Sequence, residues 1–318
     1  MSVFIIAEAG VNHNGDIAMA YQLVDAAVEA GADAIKFQTF KADKLVTKGA
    51  SKAAYQKGSL DKDELQHSML KKLELSFEAH YKIFDYCTNK GIQFLSTAFD
   101  EESMGFLVNN LGMETLKISS GDITNGPLLL AHARTKRKII ISTGMANLNE
   151  IEKALGVVAF GMVGGQNPTR EAFRNAYVSN EGRHILKENV TLLHCTTEYP
   201  APFVDINLNA MKTMRDTFSL PVGYSDHSEG IVVSIAAVAL GATLLEKHFT
   251  LDKMLPGPDH KASLEPEELK EMVKAIRIVE KSMGDGVKVP QSSEIPNLDV
   301  ARKSIVAAQD ISSGDIFT

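Results

Sequence analysis

Gly223-Tyr-Ser-Asp-His227 and Leu245-Glu-Lys-His-Phe-Thr250 are two short apolar runs, each leading to a histidine flanked by carboxylates. Between them lies the strongly apolar stretch Ile231–Leu240. This spells strand, helix, strand, which implies parallel pairing through a right-handed crossover. Neighbouring parallel strands end at one edge, so His227 and His248 would converge on one rim, where a divalent metal could sit between them. The ordinary alternative is two unrelated polar strand tips. The rest of the chain decides.

The same unit recurs upstream. Val3–Ala7 leads to Glu8, and the turn-rich Ala9-Gly-Val-Asn-His-Asn-Gly15 follows. Asp16 is a good N-cap for a helix whose Met19, Leu23, Val24, Ala27 and Val28 recur at helical spacing; Gly31 stops it, and Ala34–Thr39 reads as the next strand. Further strands are expected over Ile92–Ala98, Thr115–Ser119, Lys138–Thr143, Val190–Thr196, Pro221–Ser225 and Ala242–His248. Helices are expected at Glu101–Asn110, Leu128–Arg134, Asn207–Thr217, Ile231–Leu240 and Pro266–Met283, with an insertion over Gly161–Lys187. Strands alternating with helices over about 280 residues have the size and rhythm of an α/β (β/α)8 TIM barrel. A doubly wound sheet would lean on a GxGxxG turn after the first strand, and none is there.

Two segments break the rhythm. Lys41–Ser76, rich in Lys, Ser, Ala and Asp, far exceeds an ordinary connection; it reads as either a lid on the rim or a decoration. Gly284–Asp299 is a Gly/Pro/Ser-rich linker, after which Ala301–Thr318 starts a new strand-and-turn pattern too short to be a domain. The expected organisation is a barrel over 1–283, a linker over 284–300 and the truncated opening of a second domain over 301–318.

Composition excludes several classes. The net charge of -7 gives no basic footprint for nucleic acid. No apolar run reaches the ~18 residues of a membrane helix, and the N-terminus lacks a signal-peptide pattern. Cys87 and Cys195 make no disulfide framework, which points to a reducing cytoplasm.

The strand ends carry the chemistry. In order they are Glu8; Lys36 and Gln38; Ser96 and Thr97; Lys117, Ser119 and Ser120; Ser142 and Thr143; His194, Thr196 and Thr197; Ser225, Asp226 and His227; Glu246 and His248. A polar rim around an apolar barrel reads as a catalytic face. Lys36 and Lys117, with the hydroxyls of Thr97, Ser119, Ser120 and Ser142, suit a phosphate, and burying those lysines without an anion would be costly. His227 and His248 supply two imidazoles for an exchangeable divalent ion. Glu8, Asp226, Glu246 and Asp259 are carboxylates for proton transfer or for orienting the imidazoles. Pro256-Gly-Pro-Asp259 is a stiff turn that would hold the last of these over the rim. Cys195 reads as a packed thiol, and His13 as either a substrate contact or a loop hydrogen-bonding group.

These stretches together resemble the sialic acid synthase family, which condenses phosphoenolpyruvate with an N-acyl hexosamine. The match is carried by Ala7-Glu-Ala-Gly-Val-Asn-His-Asn-Gly15, Lys36-Phe-Gln-Thr39, Ser96-Thr-Ala-Phe99, Lys117-Ile-Ser-Ser-Gly121, Ser142-Thr-Gly-Met145, Tyr199-Pro200, Gly223–His227, Glu246–Thr250 and Pro256-Gly-Pro-Asp259, in family order along the barrel. The resemblance implies that Lys36, Thr97, Lys117, Ser120, Ser142 and Tyr199 hold phosphoenolpyruvate. It implies that His227 and His248 bind Mn²⁺ or Mg²⁺, that Glu8 and Asp259 handle water and sugar oxygens, and that Gln38 and Asp122 read sugar hydroxyls. The product would be a nine-carbon nonulosonic acid: N-acetylneuraminate from N-acetylmannosamine, or N,N'-diacetyllegionaminate from 2,4-diacetamido-2,4,6-trideoxymannose. Thr197 stands where sialic acid members often have Asn, and Asp122 where they often have Glu. Thr196-Thr-Glu-Tyr-Pro-Ala-Pro202 looks more like the legionaminic acid synthases. The tail from Arg302 resembles the start of the antifreeze-like (SAF) domain that family members carry. In full-length homodimers that domain reaches over the partner's barrel with a sugar-contacting arginine. Two rival readings are a Schiff-base aldolase acting through Lys36 or Lys117 and a non-catalytic sugar-phosphate-binding barrel.

Overall fold

A computed structural model of the chain describes residues 2–52 and 65–316. It divides into two compact units, Met1–Ser282 and Met283–Thr318. The first holds eight strands: β1 (Phe4–Gly10), β2 (Ala34–Thr39), β3 (Gln93–Ala98), β4 (Thr115–Ile118), β5 (Lys138–Ser142), β6 (Val190–His194), β7 (Val222–Asp226) and β8 (Leu244–His248). All pairs are parallel, and β8 closes on β1 to make a barrel in sequence order. Helices join successive strands and cover the outside, as a TIM barrel requires.

Local sequence sets the ends of these elements. The Asp16 carboxylate accepts from the Ala18 N–H at 2.8 Å and starts the Ile17–Ala30 helix, and Gly31 stops it in the left-handed conformation. The connection from β5 to β6 differs from the sequence expectation. Its barrel helix is Leu148–Met162, opened by an Asn147–Glu150 capping box. The extra residues form two short helices, Arg170–Val178 and Asn180–Asn189. Gly161 therefore lies inside the barrel helix: a Cβ there would stand 2.5 Å from Ala133 Cβ, so the glycine permits close helix packing.

The ends of the β2–β3 connection fold onto the rim. Helices Ala42–Leu45 and Gln66–Leu73 bring Met69 and Leu73 against Val11 and Phe40 in a small satellite core. The middle of that connection, residues 53–64, lies outside the described residues. In the second unit, Leu298–Ala301 forms a short helix and no strand forms among the described residues 302–316, contrary to the strand expected there. Among the described residues no helix is long and apolar enough to cross a membrane.

Register decides the site. Glu8 lies opposite Lys36 on one side and His248 on the other, Thr97 opposite Lys117, and Ser225 opposite Glu246. Side chains alternate along each strand, so these residues face the interior while their immediate neighbours face the helices.

Candidate active site

A cavity of about 380 Å³ opens at the carboxyl ends of the strands. Twelve of the thirteen residues expected from the sequence line it: Glu8, Lys36, Gln38, Thr97, Lys117, Ser120, Ser142, Thr197, Tyr199, His227, His248 and Asp259. Asp122 does not. It sits on the turn after β4 and accepts from Ser119 Oγ at 2.6 Å and Asn125 Nδ2 at 3.4 Å.

One part of the cavity is a buried charge cluster. Lys36 Nζ lies 2.6 Å from Glu8 Oε2 and 3.5 Å from Glu246 Oε2, and donates to Thr97 Oγ1 at 3.0 Å. Lys117 Nζ donates to Glu246 Oε1 at 3.2 Å, and Ser225 Oγ donates to the same oxygen at 2.8 Å. Exposures of 2% for Glu8, 2% for Lys36, 5% for Lys117 and 4% for Glu246 put the cluster out of bulk water. The cost argued for two bare lysines therefore takes another form: Glu246 is an internal counter-ion shared by both, and Glu8 is a second one for Lys36. Despite the ion pairs, Oε2 of Glu8 and Oε2 of Glu246 have no well-directed hydrogen bond.

The protonation states follow from the balance of burial and pairing. Burial pushes the Glu8 carboxyl up to about 7 against the pull of Lys36. Burial also acts to raise Glu246, but Lys117 and Lys36 outweigh it and hold that carboxyl far below the usual range. Lys36 is drawn down by burial, yet Glu246 and Glu8 hold it above its ordinary value. Near neutrality, Glu8 is thus the member of the cluster able to take or give a proton.

The histidines lie beside this cluster with ring centroids 5.7 Å apart. His227 Nδ1 donates to the Thr196 carbonyl at 2.6 Å, so its Nε2 carries the lone pair; Tyr199 OH and Ser225 Oγ approach that nitrogen at 3.2 and 3.3 Å. His248 Nδ1 is buried without a hydrogen-bond partner. Burial lowers His227 to about 4 and His248 well below its ordinary value, so both rings are neutral. Tyr199 packs on His227 with centroids 4.2 Å apart and meets His248 edge-on at 5.6 Å. Asp259 is half-buried on the cavity wall, and burial raises its carboxyl to about 6.

This donor set fits an open divalent site. It offers two neutral imidazoles, and the buried Nδ1 of His248 lacks any other partner. Among the described residues, no three His, Cys, Asp or Glu side chains close around a common point, so the arrangement lacks the cage of a structural metal site.

Glycines make room where the walls converge. A Cβ on Gly144 would stand 2.2 Å from Thr197 Oγ1 and 2.9 Å from Ser120 Oγ; its N–H donates to Ser120 Oγ at 3.0 Å. Gly10, at φ +53, sits over Gln38, Glu8 and His248.

Several rim candidates face away. Asp226 forms a fully buried ion pair with Lys247 at 3.1 Å behind the barrel wall and does not orient an imidazole. Ser96 bonds Thr39 Oγ1 at 2.7 Å, and His194 Nε2 donates to the Ile206 carbonyl at 2.7 Å. His13 is buried, does not line the cavity, and accepts from the Gly15 N–H at 2.9 Å, which makes it a loop hydrogen-bonding group. Cys195 is buried with Sγ 3.2 Å from Ser120 Oγ. The sequence reading put Lys41–Ser76 on the rim as a lid or a decoration, but it did not single out Leu45, Val46, Gln66, Met69, Leu70 and Leu73, which build a wall of the cavity. The only signal for it was the scatter of apolar residues at the ends of an otherwise polar segment.

Known proteins resemble this chain in sequence and in fold. The chain is 50% identical over 314 residues to an N,N'-diacetyllegionaminic acid synthase of Campylobacter jejuni, covering 99% of this chain and 87% of that protein. It is 49% identical to a protein of the same name from Legionella pneumophila, covering 99% and 82%. The crystal structure of a Leptospira borgpetersenii N-acetylneuraminic acid (sialic acid) synthetase in complex with citrate superposes with a TM-score of 0.77 at 33% identity, covering 94% of this chain and 91% of that one. The model of the NeuB family matches residues 23–288, which span the barrel from its first helix to beyond its last. The chain belongs to the NeuB family, the sialic acid synthase group that its strand-end motifs resemble.

Proposed function

We propose that this chain condenses phosphoenolpyruvate with the open-chain form of an N-acyl hexosamine and water, giving a nonulosonic acid and phosphate. The favoured sugar is 2,4-diacetamido-2,4,6-trideoxymannose, the legionaminic branch, because the two relatives at about half identity carry that name. N-acetylmannosamine is the second candidate. The observation that carries the reading is one cavity holding a lysine–hydroxyl cluster and a pair of neutral imidazoles side by side.

In this reading Lys36 and Lys117, with Thr97, Ser120 and Ser142, hold the phosphate of phosphoenolpyruvate. C3 of phosphoenolpyruvate attacks the sugar aldehyde carbon, and the aldehyde oxygen takes a proton to become a hydroxyl. Water adds to the resulting cation at C2 and gives up a proton, for which Glu8 is poised near neutral pH. The tetrahedral product then loses phosphate by cleavage of the C2–O bond, and the new C2 hydroxyl passes its proton to the departing phosphate to leave the keto acid. Tyr199, which also lines the cavity, joins the groups that hold phosphoenolpyruvate, and Asp259 is left for the sugar oxygens. A divalent ion, Mn²⁺ or Mg²⁺, held by His227 and His248 would supply Lewis-acid polarisation of the aldehyde. The tail from Arg302 is proposed as the opening of an antifreeze-like domain.

The aldolase alternative needs a lysine pushed below its ordinary value so that a neutral amine is available. Lys36 is held in the opposite direction by Glu246 and Glu8. The test is phosphate release from phosphoenolpyruvate with each of a panel of N-acyl hexosamines, with and without a chelator. His248→Ala is expected to lower release by ~10²-fold or more with the fold retained by circular dichroism. Undiminished release by that variant refutes the role of the histidine pair, and a borohydride-trapped pyruvate adduct would favour the aldolase.

A further inference from the structure

The walls of the cavity differ by place. The buried charge cluster and the two imidazoles occupy the barrel interior. The connection that leaves β2 at its carboxyl end lies above the strand ends and lines the mouth with Leu45, Val46, Met69 and Leu70, beside Phe99. Gln66 is the polar member of this wall. Away from the interior cluster and its aromatic neighbour Tyr199, the ionisable group among the described lining residues is Asp259, an acid.

Chemistry orients the sugar. Its aldehyde carbon must meet C3 of phosphoenolpyruvate beside the lysines and histidines, so its far end must point out to the mouth. There a phosphate would be stripped of water against aliphatic side chains and a carboxyl group, with no cation among the described lining residues to compensate. A methyl or an acyl methyl would instead bury apolar area against the same groups, and one such group changes kcat/KM by roughly 10–200-fold.

We propose that Leu45, Val46, Met69, Leu70 and Phe99 form a specificity wall for the end of the sugar remote from its aldehyde, accepting a deoxygenated, acylated end and refusing a phosphorylated one. This rests on the condensation reading above and adds to it the residues that choose among sugars. The satellite core of Val11, Phe40, Met69 and Leu73 holds the wall in place. Specificity is therefore set by a segment that carries none of the reacting groups.

The test is kcat/KM for phosphate release by the full chain with metal, phosphoenolpyruvate and, in turn, 2,4-diacetamido-2,4,6-trideoxymannose, N-acetylmannosamine and N-acetylmannosamine 6-phosphate. The expected order is as written, with ~10²-fold or more between first and last. Leu70→Lys and Val46→Lys are expected to narrow that ratio about tenfold while calorimetric binding of phosphoenolpyruvate is unchanged. The wild-type ratio decides alone if either variant fails to fold. Equal or better use of the 6-phosphate by the wild type overturns the wall, as does an unmoved ratio in a folded Leu70→Lys variant. Phosphate release with none of the three sugars is a different failure: it refutes the condensation reading and the wall with it.

Discussion

Strands β7 and β8 carry two buried charge clusters on opposite faces, one residue apart in sequence. Inside the barrel, Glu246 and Ser225 join Lys36, Lys117 and Glu8. Behind it, Asp226 and Lys247 pair at 3.1 Å with no exposure of either side chain. The outer cluster is saturated. Asp226 accepts from the Ser228 N–H and Oγ and from Ser234 Oγ, and Lys247 Nζ also donates to the Ser228 carbonyl. The inner cluster leaves carboxylate oxygens of Glu8 and Glu246 without directed partners and opens on a cavity. Equal burial thus has two meanings. Where every polar atom is satisfied, the charges fasten the loop that follows β7; where some are not, a substrate can supply the missing groups.

Substitution can break that contrast. Lys247→Ala strands the Asp226 charge in a dry site and is expected to cost about 3–5 kcal/mol of stability, read from urea unfolding. Asp226→Leu combined with Lys247→Met should recover most of the loss, since removing both charges of a buried pair is often neutral. If the single variant is as stable as the wild type, the outer pair is not the fastening described here.

Proton linkage sharpens it next. Glu8 has its folded value raised from an ordinary 4.5 to about 7, so the folded state binds the proton more tightly than the unfolded chain. Its contribution is fully present below about 4.5 and is lost as the pH rises through about 7, a decline on the order of 3 kcal/mol. Unfolding curves of Glu8→Gln across that window should lack this slope. An identical slope in the variant would place the titration elsewhere.

The smallest effect is expected at Asp122, which bonds its own turn and lies off the cavity. Asp122→Asn should change kcat/KM for the sugar by no more than about twofold, matching the ~0.5 kcal/mol typical of surface positions. A loss of tenfold or more would put this carboxylate on the sugar.

How much of this was legible in the sequence follows from the range of each interaction. The strand–helix alternation is local, so all eight strands fall within a few residues of their expected places, and the Asp16 and Gly31 helix signals act as expected. A list of strand-end residues, however, ignores the pleat. Asp226, Ser96 and His194 stand in that list beside true cavity residues, yet alternation turns them outward. Glu246 was legible as a carboxylate near a histidine. Its role as counter-ion to Lys36 and Lys117 was not, because only barrel closure brings β8 across to β2 and β4. The β5–β6 connection differs because the expected insertion begins at Gly161, whereas close packing against Ala133 accommodates that glycine inside the barrel helix. The mouth wall was hidden for a related reason: the apolar stripe of Met69, Leu70 and Leu73 meets Val11 and Phe40 only when the segment folds back over them.

Under the proposed condensation, the shared carboxylate of Glu246 also bears on how the reaction cycle ends. Because Glu246 already satisfies Lys36 and Lys117, an arriving phosphate competes with a resident anion instead of filling an empty positive hole. The same carboxylate is on hand to reclaim both ammonium groups when inorganic phosphate departs. In that reading the cluster acts as a small ion exchanger, with the phosphate of the proposed substrate and the Glu246 carboxylate as the two anions exchanged.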